Sequence, residues 1–225
     1  MRRWERLPKE FQNEEVREYY ELLRHRTVSR IVKRVFDFIV AFVLLAVLSP
    51  LFLIISIWVA CDSRGGVFFY QRRVTTYGRV FKIIKFRTMV SESESKGPQV
   101  TVKNDSRVTK AGKILRKYRL DELPQLVNII KGDMSFVGTR PEVERYVMAY
   151  SPEMLSTLLM PAGITSLASI KFKDEEKLLQ NAENADETYI NEVLPQKMEY
   201  NLEYLRRFNF LYDIKLMFMT VIAVA

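Results

Sequence analysis

The sequence predicts a mainly helical α+β fold: a re-entrant membrane helix broken at Ser49-Pro50, joined to a larger cytoplasmic-face domain with a small β-hairpin and interfacial amphipathic helices. Three observations predict it. No residue from 38 to 61 is charged, about the length that a bilayer-embedded helix needs. Residues 67–89 alternate in the manner of short strands around Tyr77-Gly78. Apolar residues recur at helical spacing through most of what remains. The chain divides into segments 1–34, 35–61 and 62–225.

Composition narrows the function classes. The 225 residues suit one domain plus a membrane element. At 48% hydrophobic and 28% charged, the chain is neither a disordered tail nor a polytopic membrane protein. A net charge of +8 calls for an anionic partner: nucleic acid, anionic lipid headgroups or a phosphorylated substrate. The single cysteine, Cys61, excludes an intrachain disulfide and reads as a buried bystander. The single histidine, His25, reads as solvated or headgroup-facing, and its isolation excludes triads and multi-histidine metal sites. Catalysis then falls to carboxylates and arginines. No clear interleaving of aromatics with basic residues suggests a nucleic-acid face.

Residues 1–34 place Val16, Tyr19, Tyr20, Leu22 and Leu23 at helical spacing. They predict one or two amphipathic helices on the membrane surface. Hydropathy alone would let 38–61 span as one helix. Two observations favour re-entry instead. Pro50, at the midpoint, clashes with the carbonyl of Ala46, and Ser49 can bond back to deepen the bend. Both flanks are basic, with Arg24, Arg26, Arg30, Lys33 and Arg34 before and Arg64, Arg72, Arg73 and Arg79 after. A segment that dips and returns keeps both flanks cytoplasmic. Asp37 is expected to pair with Lys33 or Arg34 one turn back.

The remainder predicts strands at 67–70 and 80–86 and a polar loop at 91–106. Helices follow at 110–118, with Ile114 and Leu115 inward, and at 125–130, ending before Gly132. Further helices are expected at 142–159, broken at Ser151-Pro152, and at 174–185 and 193–207. Residues 216–225 are apolar but too short to span, and suit a helix on the core or in the interface.

The chemistry concentrates in Arg116-Lys-Tyr-Arg-Leu-Asp121-Glu122-Leu-Pro124-Gln125. Pro124 is tolerated only in a first helical turn, so Asp121 and Glu122 stand at or just before an N-terminus. That position suits a phosphate site and, more commonly, an N-capping Asp with a first-turn Glu. Basic residues surround it in sequence: Arg116, Lys117 and Arg119 beside it, Lys85 and Arg87 upstream, Arg140 downstream. Arginine forks bind phosphate oxygens at two points. Carboxylates beside such a cluster can hold Mg²⁺ on a diphosphate, or one can attack phosphorus and form an acyl phosphate.

With these motifs, the chain resembles the bacterial sugar transferases of the monotopic phosphoglycosyl transferase superfamily from about Val32 to its end. The resemblance rests on Ser49-Pro50, Phe81, Lys85-Phe-Arg-Thr-Met89, Arg107-Val-Thr109, Gly112 and Leu115-Arg116. It continues through Leu120-Asp-Glu-Leu-Pro-Gln125, Asn128, Lys131-Gly-Asp-Met-Ser135 and Val137-Gly138. It implies a re-entrant helix and a catalytic domain at the cytoplasmic face of the bacterial inner membrane, among membrane lipids. It also implies transfer of a sugar-1-phosphate from a UDP-sugar to undecaprenyl phosphate, with release of UMP and Mg²⁺ as cofactor. Asp121 would be the nucleophile that carries the phosphosugar, and Glu122 the partner carboxylate linked to Mg²⁺. Arg87 and Arg140 would neutralise donor phosphate, with Lys85, Arg116, Arg119 and Gln125 completing the substrate-binding set. The chain departs from the family pattern at Thr139, where proline is common, at Ala162 and Ser166, at Leu167 and Ser169, and at Thr75, where glycine is usual. The competing classes are a non-catalytic anchored module for anionic lipid or nucleic acid, and an inactive scaffold homologue.

Overall fold

The computed structural model describes residues 1–90, 107–172 and 184–224. The loop expected at 91–106 and nearly all of the helix expected at 174–185 lie outside them.

Two 3₁₀ turns, Trp4–Arg6 and Lys9–Phe11, lead into α1 (Glu14–His25). Asn13 caps it by accepting from the Val16 amide at 2.9 Å. The apolar stripe predicted for this region exists, but Val16, Tyr19, Tyr20 and Leu23 are buried in the largest core cluster, with Leu158, Leu202 and Leu205. The expectation of a surface-lying helix therefore gives way for α1, because protein already covers the face that lipid would take.

Helix α2 (Thr27–Val47) meets α3 (Ser49–Asp62) at a bend of 63°. The bend has the anticipated cause: Pro50 opens α3, and Ser49 Oγ donates to the Ala46 carbonyl at 2.8 Å. No single helix among the described residues is long and apolar enough to cross a membrane, but the bent pair meets that test together. The pair leaves Val35, Phe38, Ile39, Phe42 and Val43 exposed on α2, and Leu53, Ile54, Ile57 and Trp58 on α3. Its buried apolar residues are only Ala41, Ile55 and Val59. Cys61 is exposed rather than buried, off the Ile55–Val59 stripe. The division expected at 34/35 falls inside the continuous α2.

Asp37 does not take its partner from its own helix. Its carboxylate accepts from Ser135 Oγ at 2.7 Å and from the Phe136 amide at 3.4 Å. Lys33 instead reaches Asp213 at 2.6 Å and the Val137 carbonyl at 2.8 Å. Arg34 donates to the Ile129 and Ile130 carbonyls. A buried charge takes the partner that tertiary packing presents, and three facing elements outcompete one neighbouring turn.

The hairpin pairs β1 (Phe68–Val74) with β2 (Val80–Phe86), antiparallel, with Phe68 opposite Phe86 and Val74 opposite Val80. Its turn holds Tyr77 at φ 59° and Gly78 at φ 75°. β1 runs four residues past the predicted end, because Gln71, Arg72 and Arg73 are polar yet still alternate along the strand. Helix α4 (Lys110–Lys117) is capped by Thr109 and buries Leu115, while Ile114, expected inward, is exposed. Helix α5 (Gln125–Lys131) ends at Gly132 in the left-handed region, φ 84°.

A second sheet has no counterpart among the sequence expectations. β3 (Met134–Val137) pairs in parallel with β4 (Ala162–Thr165). Gly138 and Gly163 let the two backbones touch. A Cβ on Gly163 would lie 2.2 Å from the Gly138 nitrogen and 2.4 Å from its oxygen. Gly163→Ala is therefore expected to cost at least the ~1–3 kcal/mol of ordinary overpacking. Thermal unfolding checks this, and an unchanged midpoint would contradict the packing described.

The helix predicted at 142–159 is two short pieces: α6 (Glu144–Val147) and a 3₁₀ segment, Met154–Leu159. Pro152 turns the chain away from helical geometry, and Ser156, Thr157, Leu158 and Leu159 are buried in succession, with no exposed face. Helix α7 (Leu167–Lys171) follows. Next come α8 (Ala185–Thr188), a π-helical turn at Tyr189–Val193, α9 (Leu194–Arg207) and α10 (Phe210–Val224). Helix α10 starts six residues before the predicted apolar segment. Leu216 is buried in the core, while Leu211, Phe218, Val221 and Ile222 face outward.

Candidate active site

The Asp-Glu pair lies in a 3₁₀ turn, Leu120–Glu122, between α4 and α5. Arg119 enters that turn in the left-handed region at φ 55°, and Pro124 leads out into α5. No side chain caps α5, so neither carboxylate is the capping residue that position alone allowed. Both are nonetheless buried, Asp121 at 7% and Glu122 at 8% exposure.

Their environments differ. Glu122 Oε1 accepts from Lys85 Nζ at 3.0 Å and from Arg140 Nη2 at 2.6 Å. Burial pushes the Glu122 carboxyl up, but Arg140 and Lys85 together hold it far below the usual carboxylate range. Asp121 accepts no hydrogen bond among the described residues. Burial raises its carboxyl above the ordinary value; Lys85, Arg116 and Arg140 oppose the rise, and Glu122 adds to it. Lys85, on β2, is lowered by its own burial, with Glu122 opposing.

The structure thus brings together five of the predicted residues: Lys85, Arg116, Asp121, Glu122 and Arg140. Arg116 is steadied by Thr88, whose Oγ1 accepts from its Nε at 2.8 Å. The side chains of the other three form no hydrogen bond or ion pair with these five among the described residues. Arg87 Nη2 clamps the end of α3 through the Ser63 carbonyl at 2.6 Å and Val59 at 3.3 Å, while its Nε and Nη1 are buried without a partner. Gln125 is buried at the start of α5 with its Nε2 unpaired. Arg119 points to solvent.

Sequence reasoning missed the support behind Arg140. Arg73, on β1, donates to the Pro141 carbonyl at 3.0 Å, and the Val74 amide donates to the Glu142 carbonyl at 2.9 Å. The buried Glu142 carboxylate accepts from the Tyr189 hydroxyl at 2.5 Å, which in turn accepts from Lys197 Nζ at 2.8 Å. Burial lowers Arg73, Glu142 opposes, and the nearby Arg140 adds to the fall. The only signal available was an acid directly after Arg140-Pro141, since its partners lie 47 residues or more away.

A model of the bacterial sugar transferase family matches residues 28–225. The chain belongs to that family. A sugar transferase relative in Aeromonas hydrophila, a UDP-N-acetylgalactosamine-undecaprenyl-phosphate N-acetylgalactosaminephosphotransferase, is 36% identical over 194 residues, covering 84% of this chain and 43% of that protein. A Klebsiella pneumoniae UDP-glucose:undecaprenyl-phosphate glucose-1-phosphate transferase is 38% identical over 200 residues, covering 86% of this chain and 40% of that protein. The chain therefore spans about two-fifths of the length of these two relatives. The exopolysaccharide production protein ExoY of Rhizobium meliloti (strain 1021) is 34% identical over 218 residues, with 88% of each chain covered.

Two departures from the sugar transferase pattern acquire local reasons. Thr75 is wholly buried; its hydroxyl donates to the Asp133 carbonyl at 2.7 Å and accepts from the Ala162 amide at 3.2 Å, tying the hairpin turn to the β3–β4 sheet. Ser166 caps α7 by accepting from the Ser169 amide at 2.9 Å. Thr139 keeps its carbonyl in use, accepting from the Gly163 amide at 2.9 Å, but its buried hydroxyl has no partner.

Proposed function

We propose that this chain transfers a sugar-1-phosphate from a UDP-sugar to undecaprenyl phosphate, releasing UMP, at the cytoplasmic face of the bacterial inner membrane. One observation carries the reading: two adjacent buried carboxylates, one bonded by two cations through a single oxygen and the other left without a hydrogen bond. A pair so divided has one member fixed for binding and one available to react.

The unpaired Asp121 carboxylate is the nucleophile. Its Oδ attacks the β-phosphorus of the donor, and the bond from that phosphorus to the bridging oxygen breaks. UMP leaves with the bridging oxygen and its electron pair, and the phosphosugar stays on Asp121. A phosphate oxygen of undecaprenyl phosphate then attacks the same phosphorus and releases the aspartate. Burial strips water from Asp121 and so sharpens it as a nucleophile. Lys85, Arg116 and Arg140 offset the diphosphate charge, and Arg73 and Glu142 hold the Arg140 segment in place.

Mg²⁺ fits these residues. The Asp121 carboxylate and the second oxygen of Glu122 accept no hydrogen bond among the described residues, so lone pairs remain for a hard cation. Among the described residues no group of three or more acidic, histidine or cysteine side chains converges, which suits an ion completed by phosphate and water. Bound there by Glu122 and Asp121, it would supply charge neutralisation on the diphosphate.

UMP release from a panel of UDP-sugars, with undecaprenyl phosphate and Mg²⁺, tests the reaction and names the sugar. A folded preparation that releases UMP from no donor would favour a scaffold or lipid-binding role instead.

We further infer that α2–α3 enters and leaves the bilayer on one side. Cys61 is the sole cysteine and is exposed beyond the bend, so the native chain reports its own topology. An impermeant maleimide should label Cys61 in inside-out membrane vesicles and not in right-side-out ones. The reverse pattern would mean that the pair spans.

A further inference from the structure

A cavity of about 360 Å³ opens between the first half of α2, the Thr76–Gly78 turn and Met160-Pro161, within the size range of small-molecule sites. None of Lys85, Arg116, Asp121, Glu122 or Arg140 lines it. Its walls are largely apolar, with Ile31, Leu159, Met160 and Pro161 among them.

Three cations of α2 also line the cavity, and two are committed elsewhere. Lys33 is held by Asp213 and Val137, and Arg34 by the carbonyls that end α5. Asp37, the acid in the lining, is engaged by Ser135. Arg30 is different: no carboxylate pairs with its guanidinium among the described residues. Its charge reaches the Tyr77 hydroxyl, which burial pushes up and which the hydrogen bond from the Arg2 amide and then Arg30 pull back. Tyr77 forms part of the wall from a left-handed backbone, one of two non-glycine positive-φ residues among those described. That backbone belongs to the hairpin turn, which fixes the wall in place. Ile31 is 59% exposed and joins the cavity to the outward apolar row of Val28, Val32 and Val35.

An unpaired cation against apolar walls is half of an ion pair. Free phosphate would answer the charge and leave the walls bare, whereas a lipid answers both. We propose that this cavity seats the headgroup of an anionic phospholipid, its phosphate on Arg30 and its glycerol and first methylenes along Ile31 and Met160. The site rests on the embedding of α2–α3 inferred above. Arg30 precedes Phe38 by eight residues, about 12 Å along the axis. An inclined helix brings it to the polar layer, which adds about 5–8 Å a side to the hydrocarbon core.

The test uses the full chain in nanodiscs of equal phosphatidylethanolamine and phosphatidylglycerol, transferred to detergent and weighed by native mass spectrometry. Wild type is expected to keep phosphatidylglycerol in preference. Arg30→Gln should keep about tenfold less, the loss of a charge-assisted hydrogen bond. Arg30→Lys, which retains the charge, should recover most of it and so separate the effect from misfolding. Arg24→Gln, an exposed control paired with Glu21, should behave as wild type. Equal retention by wild type and Arg30→Gln overturns the proposal, as does equal loss in Arg24→Gln. Displacement of the lipid by inorganic phosphate, or by an equal amount of undecaprenyl phosphate, also overturns it, making the cavity an anion or acceptor seat. A chain that retains neither lipid and fails to sediment with vesicles refutes the embedding itself. One that sediments without preferring phosphatidylglycerol refutes the cavity site alone.

Discussion

Asp121→Asn is expected to abolish turnover, by about 10⁴-fold or more, as removal of a covalent nucleophile does. The amide is nearly isosteric, so donor binding should survive. Incubated with donor and no acceptor, wild type should gain the mass of one phosphosugar, and the variant none. Near-normal turnover in the variant would remove Asp121 from the chemistry. The same substitution should raise thermal stability at neutral pH. The Asp121 carboxyl is raised on folding, so its contribution is fully present below the unfolded value and is lost as pH climbs through the folded one. At pH 7 the ionised carboxylate therefore weighs against folding, and a neutral amide relieves it. A higher melting midpoint with no turnover is the signature of a residue kept for reaction. A lower midpoint would contradict the stated environment.

Asp213→Ala is expected to give the largest loss of stability. Lys33 and Asp213 have side chains only 5% and 4% exposed and meet at 2.6 Å. The Tyr204 hydroxyl also donates to Asp213, at 2.8 Å. Removing the acid strands a buried ammonium and a buried hydroxyl, at a cost of about 3–5 kcal/mol. In a domain of this size that lowers the melting midpoint by roughly 6–20 °C. Lys33→Met combined with Asp213→Leu and Tyr204→Phe should recover most of the loss, because apolar groups replace a buried ion pair and the hydroxyl bonded to it at little cost. A single variant that melts with wild type would show that Lys33 finds another partner.

Local chemistry made part of this legible in sequence. Ser49-Pro50 bends the chain, Tyr77-Gly78 turns the hairpin, and Gly132 stops α5, because each effect acts within a few residues. The basic cluster was legible as composition, and three of its expected members, Lys85, Arg116 and Arg140, do converge on the two carboxylates. What distance decides was hidden. An apolar stripe on α1 does not say whether lipid or Leu202 will cover it. The partner of Asp37 lies 98 residues away on Ser135. β3 and β4 are four residues each and pair across a long crossover, too short for either to carry a periodic signal. Glu142 looks like any surface acid until Tyr189 and Lys197 close on it.

The fastening of α2 has a consequence for reach. Through Arg34 it grips the end of α5, which begins three residues after Glu122. Through Lys33 and Asp37 it grips Ser135, Phe136 and Val137, just ahead of Arg140. Both banks of the proposed reaction centre hang from one helix. With α2 seated in lipid as proposed, the elevation of Asp121 above the hydrocarbon is set by protein bonds, like a fixed stage on a post. An acceptor then needs only to present its phosphate at that level. Under the proposed reaction, the acceptor's isoprenoid tail can lengthen or shorten without changing the alignment, and the chain is expected to discriminate by headgroup and to tolerate differences in tail length.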